Sequence, residues 1–460
     1  MSPAAILLVD CGVSKSREPF DYVYEKSLGT LYCHGYLSKN GVKAHLVFPD
    51  DIKAALPFVA DKVEKFIRSA VQERPEFIGF SCTSDTLPIA LFLAEEIKKK
   101  QRSPQSKMIL GGIGPTSYPE LVLQHYPFID AVVEGEGEQT LLELLTQGVQ
   151  VKSWETVAGI TYRDENRVIC RNDHRTRITD LDEVPIQYTQ FHYRIPETGE
   201  QIKTYSMVTS RGCTGHCLFC SHSLIWQRKI TSHSCENIVH TAEKITRQNP
   251  QTHIAFQDDD FLFSLERLKR FSRLLKKSSH PIKWDVFGRL DRMTPGLLAL
   301  LRDSGCFSIT FGFDSVVNEG RSALGKTLTF KEALAKLKLA KKFIPYIYVN
   351  LIYGWAGETK KYFDQFLEEA YALKKEGFTI KIAPLTIYPG TPIHRQYTRK
   401  WDLPPNEKFF RPLLGRAYKY VKGHEELYPH LCTNSFDKYF HHKKELLQML
   451  NETFIVYGEI

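Results

Sequence analysis

Short apolar runs alternate with amphipathic segments of helical period over residues 1–145. The apolar runs predict strands at 5–10, 43–48, 76–81, 107–112 and 131–135, and the segments between them predict helices near 26–40, 55–73, 87–100 and 118–125. Continuous apolar strands separated by helices are typical of a parallel sheet covered on both faces. We therefore predict an α/β, doubly wound, Rossmann-like domain over residues 1–148.

A second alternating series begins near residue 203. It predicts strands at 204–210, 253–258, 283–289, 308–314, 347–354 and 380–388, with helices at 235–248, 264–278, 295–304, 330–343 and 361–376. These make fewer strand–helix units than a complete eight-fold barrel contains. We predict a partial (β/α)6 barrel over residues 201–398.

Two other segments break the alternation. Residues 149–200 predict a β-hairpin linker that turns at Asp164-Glu165-Asn166. Residues 399–460 are polar and aromatic, and we expect them to form a mostly helical C-terminal cap interrupted by WDLPP at 401–405.

The composition, with 42% hydrophobic and 25% charged residues, is that of an ordinary globular protein. The net charge of +8 is spread over predicted helix faces, which favours a solvated surface over a nucleic-acid footprint. No run of eighteen apolar residues occurs, and the first apolar run lacks a preceding basic segment. We expect a cytoplasmic protein with no membrane span and no nucleic-acid partner.

Three cysteines, Cys213, Cys217 and Cys220, fall within eight residues in a C-x3-C-x2-C loop. Three thiolates on one loop can bind three irons of a [4Fe–4S] cluster and leave the fourth iron open to a small molecule. Zinc bound with His216 or His222 is the alternative. A disulfide scaffold is disfavoured, because ten cysteines in 460 residues is a low density without a secretory signal. The position directly after an apolar strand favours iron.

Polar and small residues follow the predicted strands of the first series. Ligands of doubly wound sheets bind at the carboxyl ends of the strands, and glycine permits close approach of a cofactor to the backbone. We therefore expect a polar cofactor to contact Ser81, Thr83, Ser84, Gly111, Gly112, Glu134, Gly135 and Glu136.

The order of these motifs resembles that of the radical SAM superfamily, in the subgroup with an N-terminal cobalamin (B12)-binding domain. Besides the cysteine loop, the resemblance is carried by Gly312-Phe313-Asp314-Ser315, Gly354-Trp355-Ala356-Gly357-Glu358-Thr359 and Tyr388-Pro389-Gly390-Thr391. It implies that Cys213, Cys217 and Cys220 hold the cluster and that S-adenosylmethionine (SAM) chelates the open iron. The implied SAM contacts are Gln257, Asp258, Asp259, Arg289, Asp314, Ser315, Gly354, Glu358 and Pro389.

The sequence departs from the family at several of these places. Gln257-Asp258-Asp259 stands where the family has a Gly-Gly-Glu-like segment, so its aspartates have helix capping as an alternative role. Aspartate replaces a family glutamate at Asp314. The loop Asp10-Cys11-Gly12-Val13-Ser14-Lys15 lacks the cobalt-binding histidine of the mutase-type cobalamin fold. The first domain therefore either binds cobalamin without a histidine ligand or has lost the cofactor.

The resemblance implies an enzyme that cleaves SAM to methionine and a 5′-deoxyadenosyl radical. The reaction that it implies first is cobalamin-dependent methylation of an unactivated carbon in a biosynthetic pathway. It also implies an electron donor such as flavodoxin or ferredoxin, and a small-molecule or peptide substrate. Radical redox chemistry, cyclisation or another group transfer is the alternative. A methylthiotransferase with a second cluster on Cys11, Cys33 and Cys82, and a zinc-stabilised binding protein without catalysis, also stay open.

Overall fold

The computed structural model describes residues 5–11, 27–47, 60–84, 86–102, 106–195, 198–249, 251–278, 281–355, 357–386, 388, 390–400 and 455–456. The chain forms two compact units, the first mainly from residues up to Phe191 and the second mainly from the residues after it. None of the described helices is long and apolar enough to cross a membrane.

Seven described strands form the sheet of the first unit. They are β1 (Ile6–Asp10), β2 (Ala44–Val47), β3 (Phe77–Ser81), β4 (Lys107–Gly111), β5 (Ala131–Val133), β6 (Ile160–Arg163) and β7 (Ile169–Arg171), in the order β2-β1-β3-β4-β5-β6-β7. Strands β1 to β5 pair in parallel, whereas β6 and β7 add an antiparallel hairpin. The hairpin predicted within residues 149–200 thus extends the first sheet. The strand order reverses between β1 and β3, which is where doubly wound sheets bind ligands.

The helices of the first unit are α1 (Leu28–Lys39), α2 (Ala60–Glu73), α3 (Leu87–Lys100), α4 (Ile113–Thr116), α5 (Pro119–His125) and α6 (Gly137–Gln147). Helix α6 was not predicted, although its Leu141 and Leu144 are buried at helical spacing. The core on this side also contains Ile6, Phe77 and Trp154.

In the part of the second unit that the structure describes, eight strands form one open sheet. They are β8 (Tyr188–Arg194), β9 (Gln201–Met207), β12 (His253–Phe256), β13 (Lys283–Gly288), β14 (Cys306–Asp314), β15 (Tyr346–Tyr353), β16 (Thr379–Pro384) and β17 (Ile455–Val456). From β9 to β17 every neighbouring pair is parallel. A small antiparallel ladder, β10 (Ser210–Arg211) with β11 (Thr231–Ser232), follows β9.

The helices of the second unit are α7 (His222–Trp226), α8 (Cys235–Gln248), α9 (Leu265–Leu275), α10 (Pro295–Asp303), α11 (Asn318–Ala323), α12 (Phe330–Lys341), α13 (Lys360–Lys375) and α14 (Pro392–Lys400). Most begin at a serine or threonine that accepts a backbone N–H bond, and α12 has a complete capping box between Thr329 and Glu332. Aromatic side chains fill the space between the sheet and its helices, with Trp284 packed against Phe256 and Phe271.

The predicted α/β organisation, a doubly wound sheet followed by a partial barrel, is confirmed, while the domain boundaries stay predictions. Strand β8 and helix α11 were not predicted. Most of the predicted C-terminal cap lies outside the described residues. Its Ile455–Val456 pairs with β16 as a strand, where we expected helix.

Candidate active site

The cysteine loop lies where β9 and the short β10 end, at the carboxyl edge of the second sheet. Cys213, Cys217 and Cys220 are free thiols and are partly exposed. The β10–β11 ladder pairs Arg211 with Thr231 and so fixes the start of the loop. The residues that lead into the loop are therefore fixed by strand pairing, and the three thiols follow them.

Asp258 holds the residues that lead into the cysteine loop. Its side chain is 1% exposed, and its carboxylate accepts hydrogen bonds from the Thr209 backbone N–H (2.5 Å), the Thr209 hydroxyl (2.7 Å) and the Ser210 hydroxyl (2.6 Å). Burial raises the pKa of Asp258, while Arg267 and these hydrogen bonds act to lower it. Both oxygens bind the chain at the end of β9, whereas Ser264 caps the next helix, so Asp258 does not take the helix-capping role given as its alternative, and its SAM contact stays a prediction.

Asp259, the next residue, faces His222. Its Oδ1 contacts the His222 Nδ1. Although burial acts to lower it, the hydrogen bond and charge of Asp259 raise the pKa of His222. The contact leaves Nε2 of His222 available, and metal-binding histidines commonly hydrogen-bond a carboxylate through the other ring nitrogen, so this contact does not count against the zinc alternative.

Arg289 lies against one side of the loop. Its Nη1 is 3.8 Å from Cys213 Sγ, and its Nε and Nη2 bind the two oxygens of Asp291 at 3.1 and 2.5 Å. The Gly215 backbone N–H donates to the same sulfur at 3.3 Å, and a Cβ at Gly215 would collide with the Arg289 guanidinium. A larger residue at this position would therefore displace the guanidinium from the sulfur.

Arg292 supports the same side of the loop and was not predicted. Its Nη2 donates to the Thr214 hydroxyl at 3.0 Å and to Asp260 Oδ2 at 2.7 Å. Asp260 is fully buried, and burial raises its pKa against the opposing effect of Arg292.

Lys326 lies against the other side of the loop and was also not predicted. Its Nζ is 3.5 Å from Cys217 Sγ and forms an ion pair with Asp314. Asp314 has a left-handed backbone (φ 68°), which is costly outside glycine and is typical of functional sites. Burial acts to lower the pKa of Lys326, but Asp314 and Cys217 raise it, so the ammonium stays charged.

The turn that carries Lys326 also touches the cysteine loop. Leu218 N–H donates to the Leu324 carbonyl at 3.1 Å. Gly325 has φ 75°, and a Cβ there would stand 2.6 Å from the His216 carbonyl oxygen. The contact requires glycine, and it holds Lys326 in place beside Cys217.

The donors around the loop suit an iron–sulfur cluster. Cys213 and Cys217 each have a cationic neighbour, and hydrogen bonds to sulfur are a known means of tuning such clusters. Burial raises the pKa of Cys220 to about 11, so a metal would have to displace its proton. Within the described ranges no three His, Cys, Asp or Glu side chains converge on one metal ion. A cluster does not need that convergence, since each thiolate binds its own iron.

The remaining predicted SAM residues lie at the carboxyl ends of β12, β14 and β15. Gln257 Nε2 donates to Ser206 at 3.4 Å, and the buried Ser315 hydroxyl donates to the Val317 carbonyl at 3.2 Å. Gly354 has φ 81°, and its N–H donates to Glu358 at 2.6 Å. Burial raises the pKa of Glu358 to about 7. Pro389 lies outside the described residues.

The first unit gathers the predicted cobalamin residues at the carboxyl edge of its sheet. Ser81 and Gly111 end β3 and β4, and Thr83 and Ser84 follow in the next turn. Gly112 has a φ of 99°, and a Cβ at this position would collide with the backbone carbonyl oxygen of Cys82. The close contact between these two backbone segments therefore requires glycine at position 112, with or without a bound cofactor.

The two predicted carboxylates of this edge have partners within the chain. Glu134 accepts from Thr161 at 2.6 Å and from Arg171 at 2.5 Å, and Glu136 accepts from the Ile178 N–H at 2.9 Å. Gly135 between them has φ 72°. These carboxylates hold the β6–β7 hairpin and the segment after it, and their cobalamin contacts stay predictions.

Cys11 and Cys82 stand next to each other where the strand order reverses. The Cys11 N–H donates to the Ser81 carbonyl, and the Cys82 N–H to Gly111. Both side chains are buried, and burial raises the pKa of both thiols, with the nearby Asp10 adding to the effect. A metal would have to displace the proton of either thiol, as it would at Cys220.

Two family models match the chain: the radical SAM superfamily over residues 207–370 and the B12 binding domain over residues 22–145. An uncharacterized methyltransferase of Pyrococcus horikoshii is 27% identical over 318 residues, which cover 69% of this chain and 68% of the relative. The anaerobic magnesium-protoporphyrin IX monomethyl ester cyclase of Rubrivivax gelatinosus is 25% identical over 358 residues, which cover 75% of this chain and 61% of the relative.

Among solved structures, the radical S-adenosylmethionine methyltransferase TsrM of Kitasatospora setae, with cobalamin and a [4Fe-4S] cluster bound, matches with a TM-score of 0.64. It is 18% identical, and the match covers 87% of this chain and 78% of that one, so the likeness shows the fold. The B12 binding model matches a part of the chain that contributes strands to the first sheet, and the radical SAM model matches a part that contributes strands to the second. The chain therefore carries a B12-binding domain over residues 22–145, followed by a radical SAM domain over residues 207–370.

Proposed function

We propose that this radical SAM enzyme is a cobalamin-dependent methyltransferase that methylates an unactivated carbon in a biosynthetic pathway. One observation carries the proposal: a three-cysteine loop flanked by Arg289 and Lys326 stands at the strand ends of the radical SAM sheet, in a chain that also has a B12-binding domain. Methyltransferases among the related proteins support the same reaction class.

In this proposal Cys213, Cys217 and Cys220 hold the cluster, and the two cations beside them have a double role. They offset the negative charge of the thiolates, and they supply positive charge where the carboxylate of SAM would bind the open iron. When bound, the cluster supplies one electron that cleaves SAM to methionine and a 5′-deoxyadenosyl radical. That electron would come from a donor such as flavodoxin or ferredoxin, which suits a reducing cytoplasm.

The strand ends complete the SAM site. Gly354 and Glu358 form a turn whose glycine adopts a left-handed backbone, and Asp314 is fixed beside Lys326. We expect Gln257, Asp259, Ser315 and Pro389 to add polar and adenine contacts, as the family resemblance implies. Asp258 fixes the residues that lead into the cysteine loop through its hydrogen bonds with Thr209 and Ser210.

The carboxyl edge of the first sheet would hold cobalamin. Cys11 and Cys82 lie at the reversal of strand order, where burial keeps their thiols protonated. When bound there, cobalamin would supply the methyl-carrying cobalt, and the strand ends at Ser81, Gly111 and Glu134 would hold the cofactor.

A radical cyclase or redox enzyme of the same architecture is the second candidate. The similarity to a cyclase of Rubrivivax gelatinosus favours it. The two candidates differ in what happens to the methyl group of SAM, because only the methyltransferase produces S-adenosylhomocysteine.

The test needs no substrate. The anaerobically reconstituted enzyme is mixed with reduced cobalamin and SAM that carries a trideuterated methyl group, and products are analysed by mass spectrometry. We expect trideuteromethylcobalamin and an equal amount of S-adenosylhomocysteine, and 5′-deoxyadenosine when a strong reductant is present. The C213A/C217A/C220A variant is expected to give no 5′-deoxyadenosine. Formation of 5′-deoxyadenosine without any methylcobalamin would favour the cyclase candidate.

A further inference from the structure

A charged layer lies on the face of the second sheet that is turned away from its helices. Trp284 and Val286 on β13 are buried against the helix side, so Asp285 between them points to the opposite face. The register places Ser308 beside Asp285, and the Ser308 hydroxyl donates to Asp285 Oδ1 at 2.5 Å. This face is the concave side of the partial barrel.

Lys381 on β16 extends over the same face. It is 8% exposed, and its Nζ stands 4.8 Å from the centre of the Tyr348 ring. Its charge also acts on Asp285, although two strands lie between β13 and β16. Asp285 and Lys381 therefore lie on the same face of the sheet, and the Tyr348 ring packs against the ammonium group.

The amino end of this concavity is lined by aromatic rings. The Phe307 ring lies tilted against Tyr346 with ring centres 4.7 Å apart and forms a T-shaped pair with His253 at 4.6 Å. Burial, together with the charge of Lys283, lowers the pKa of His253 to about 4, so His253 is neutral at neutral pH, and the Lys283 ammonium lies 5.3 Å from the centre of the Phe307 ring. The charged layer thus stands between an aromatic floor and the strand ends that carry the cysteine loop.

Stability does not account for this layer. Enclosing a lysine and an aspartate costs desolvation free energy that their attraction often fails to recover, and apolar residues of similar volume are commonly as stabilising or better. The same strands bury apolar side chains on the helix side. Charged residues that are kept in a concavity next to a reactive centre are typical of ligand recognition.

We propose that Lys381, supported by Tyr348, binds an anionic group of the substrate, a carboxylate or a phosphate, and that Asp285 is its counter-ion until the substrate arrives. The substrate's anion competes with Asp285 for the ammonium group. The assignment of this anion to the substrate rests on the proposed function. The existence of an anion-binding site does not depend on the proposed function, because protein side chains alone form that site.

Titration calorimetry with two probes, phenylphosphonate and benzoate, tests the site on the full-length, cluster-loaded protein without SAM. We expect saturable binding of one probe or both, and their comparison separates a phosphate site from a carboxylate site. D285N should tighten binding roughly tenfold or more, because it removes a negative charge that shares this face of the sheet with Lys381 and repels the incoming anion. K381M should abolish binding, and K381R should retain it.

Several results would overturn the site. They are the absence of binding to wild type and D285N, affinity that D285N leaves unchanged, or binding that survives K381M. Circular dichroism and iron content show whether each variant is folded. If K381M fails to fold, D285N and K381R still decide the question. Anion binding without methyl transfer to cobalamin would count against the proposed function and leave this site standing.

Discussion

Replacing Lys326 by methionine removes the one cation found next to Cys217 among the described residues, while keeping much of the side-chain volume. Lys326 is 3.5 Å from the sulfur and pairs with Asp314, which the substitution would leave without its ammonium partner. A cluster held on these thiols would then feel one positive charge fewer and an uncompensated carboxylate nearby. Both changes disfavour adding an electron.

The size of the effect follows from Coulomb's law. A unit charge at about 5 Å in an effective dielectric constant of about 20 contributes about 3 kcal/mol. For a one-electron couple this corresponds to roughly 130 mV, since 59 mV is a tenfold change in the equilibrium constant. Because the cluster spreads its charge over several atoms, we expect K326M to lower the reduction potential by about 50–130 mV.

A redox titration of the reconstituted cluster without SAM, followed by electron paramagnetic resonance, measures this shift. K326R is the matched control, because it keeps the positive charge, and we expect its potential to stay within about 30 mV of wild type. Iron and sulfide content must be equal in all three proteins. A potential in K326M that equals that of wild type would refute the assignment of Lys326 as a partner of the cluster.

Three further predictions concern the two units. D258N should cost about 2–4 kcal/mol, because the amide cannot accept all the bonds that the buried carboxylate accepts, and calorimetry should show a lower unfolding temperature; an unchanged temperature would contradict the anchoring role. G112A should destabilise the chain by about 3 kcal/mol, since its Cβ meets the Cys82 carbonyl, whereas G135A, whose Cβ has open space, should cost only about 1 kcal/mol in urea unfolding. Equal losses would argue against the close crossing. Burial raises the pKa of Asp285 to about 6, so the folded state holds its proton more tightly than the unfolded state, and this residue should lower stability as pH rises from about 4 to about 6, by up to about 3 kcal/mol. D285N should remove that decline, and parallel pH profiles for variant and wild type would contradict it.

The fold followed from the sequence because its signals are local. Parallel strands of the first sheet such as β1 and β3 are apolar runs, and helices such as α8, with its Ser234 cap, have a buried stripe. Where that signal is weak the prediction failed. Helix α11 has only six residues, and β8 pairs at the margin of the second sheet without a continuous apolar run.

The site was less predictable, because its key contacts join residues that are distant in sequence. Lys326 is 109 positions from Cys217, and its place depends on the left-handed backbone at Asp314 and on Gly325. No local pattern signals such a contact, although a lysine after a glycine in a loop near a family motif was available as a hint. The layer of Asp285 and Lys381 was missed for the same reason.

The opposite case is a residue whose position was predicted but whose partners were not. Glu134 and Glu136 do follow a strand at the expected edge. The sequence could not reveal that Arg171 and Ile178 occupy their oxygens, since these partners come from a hairpin and a loop further along the chain. A strand-end position therefore indicates a site more reliably than it indicates the contacts of each residue.

Metal analysis of the full chain tests the central claim most directly. After anaerobic reconstitution with iron, sulfide and cobalamin, we predict about four irons and about one cobalt per chain. The C213A/C217A/C220A variant should lose the iron and keep the cobalt, since its first unit is unchanged. A colourless protein with stoichiometric zinc and no cobalt, or iron that stays bound in the triple variant, would contradict the account.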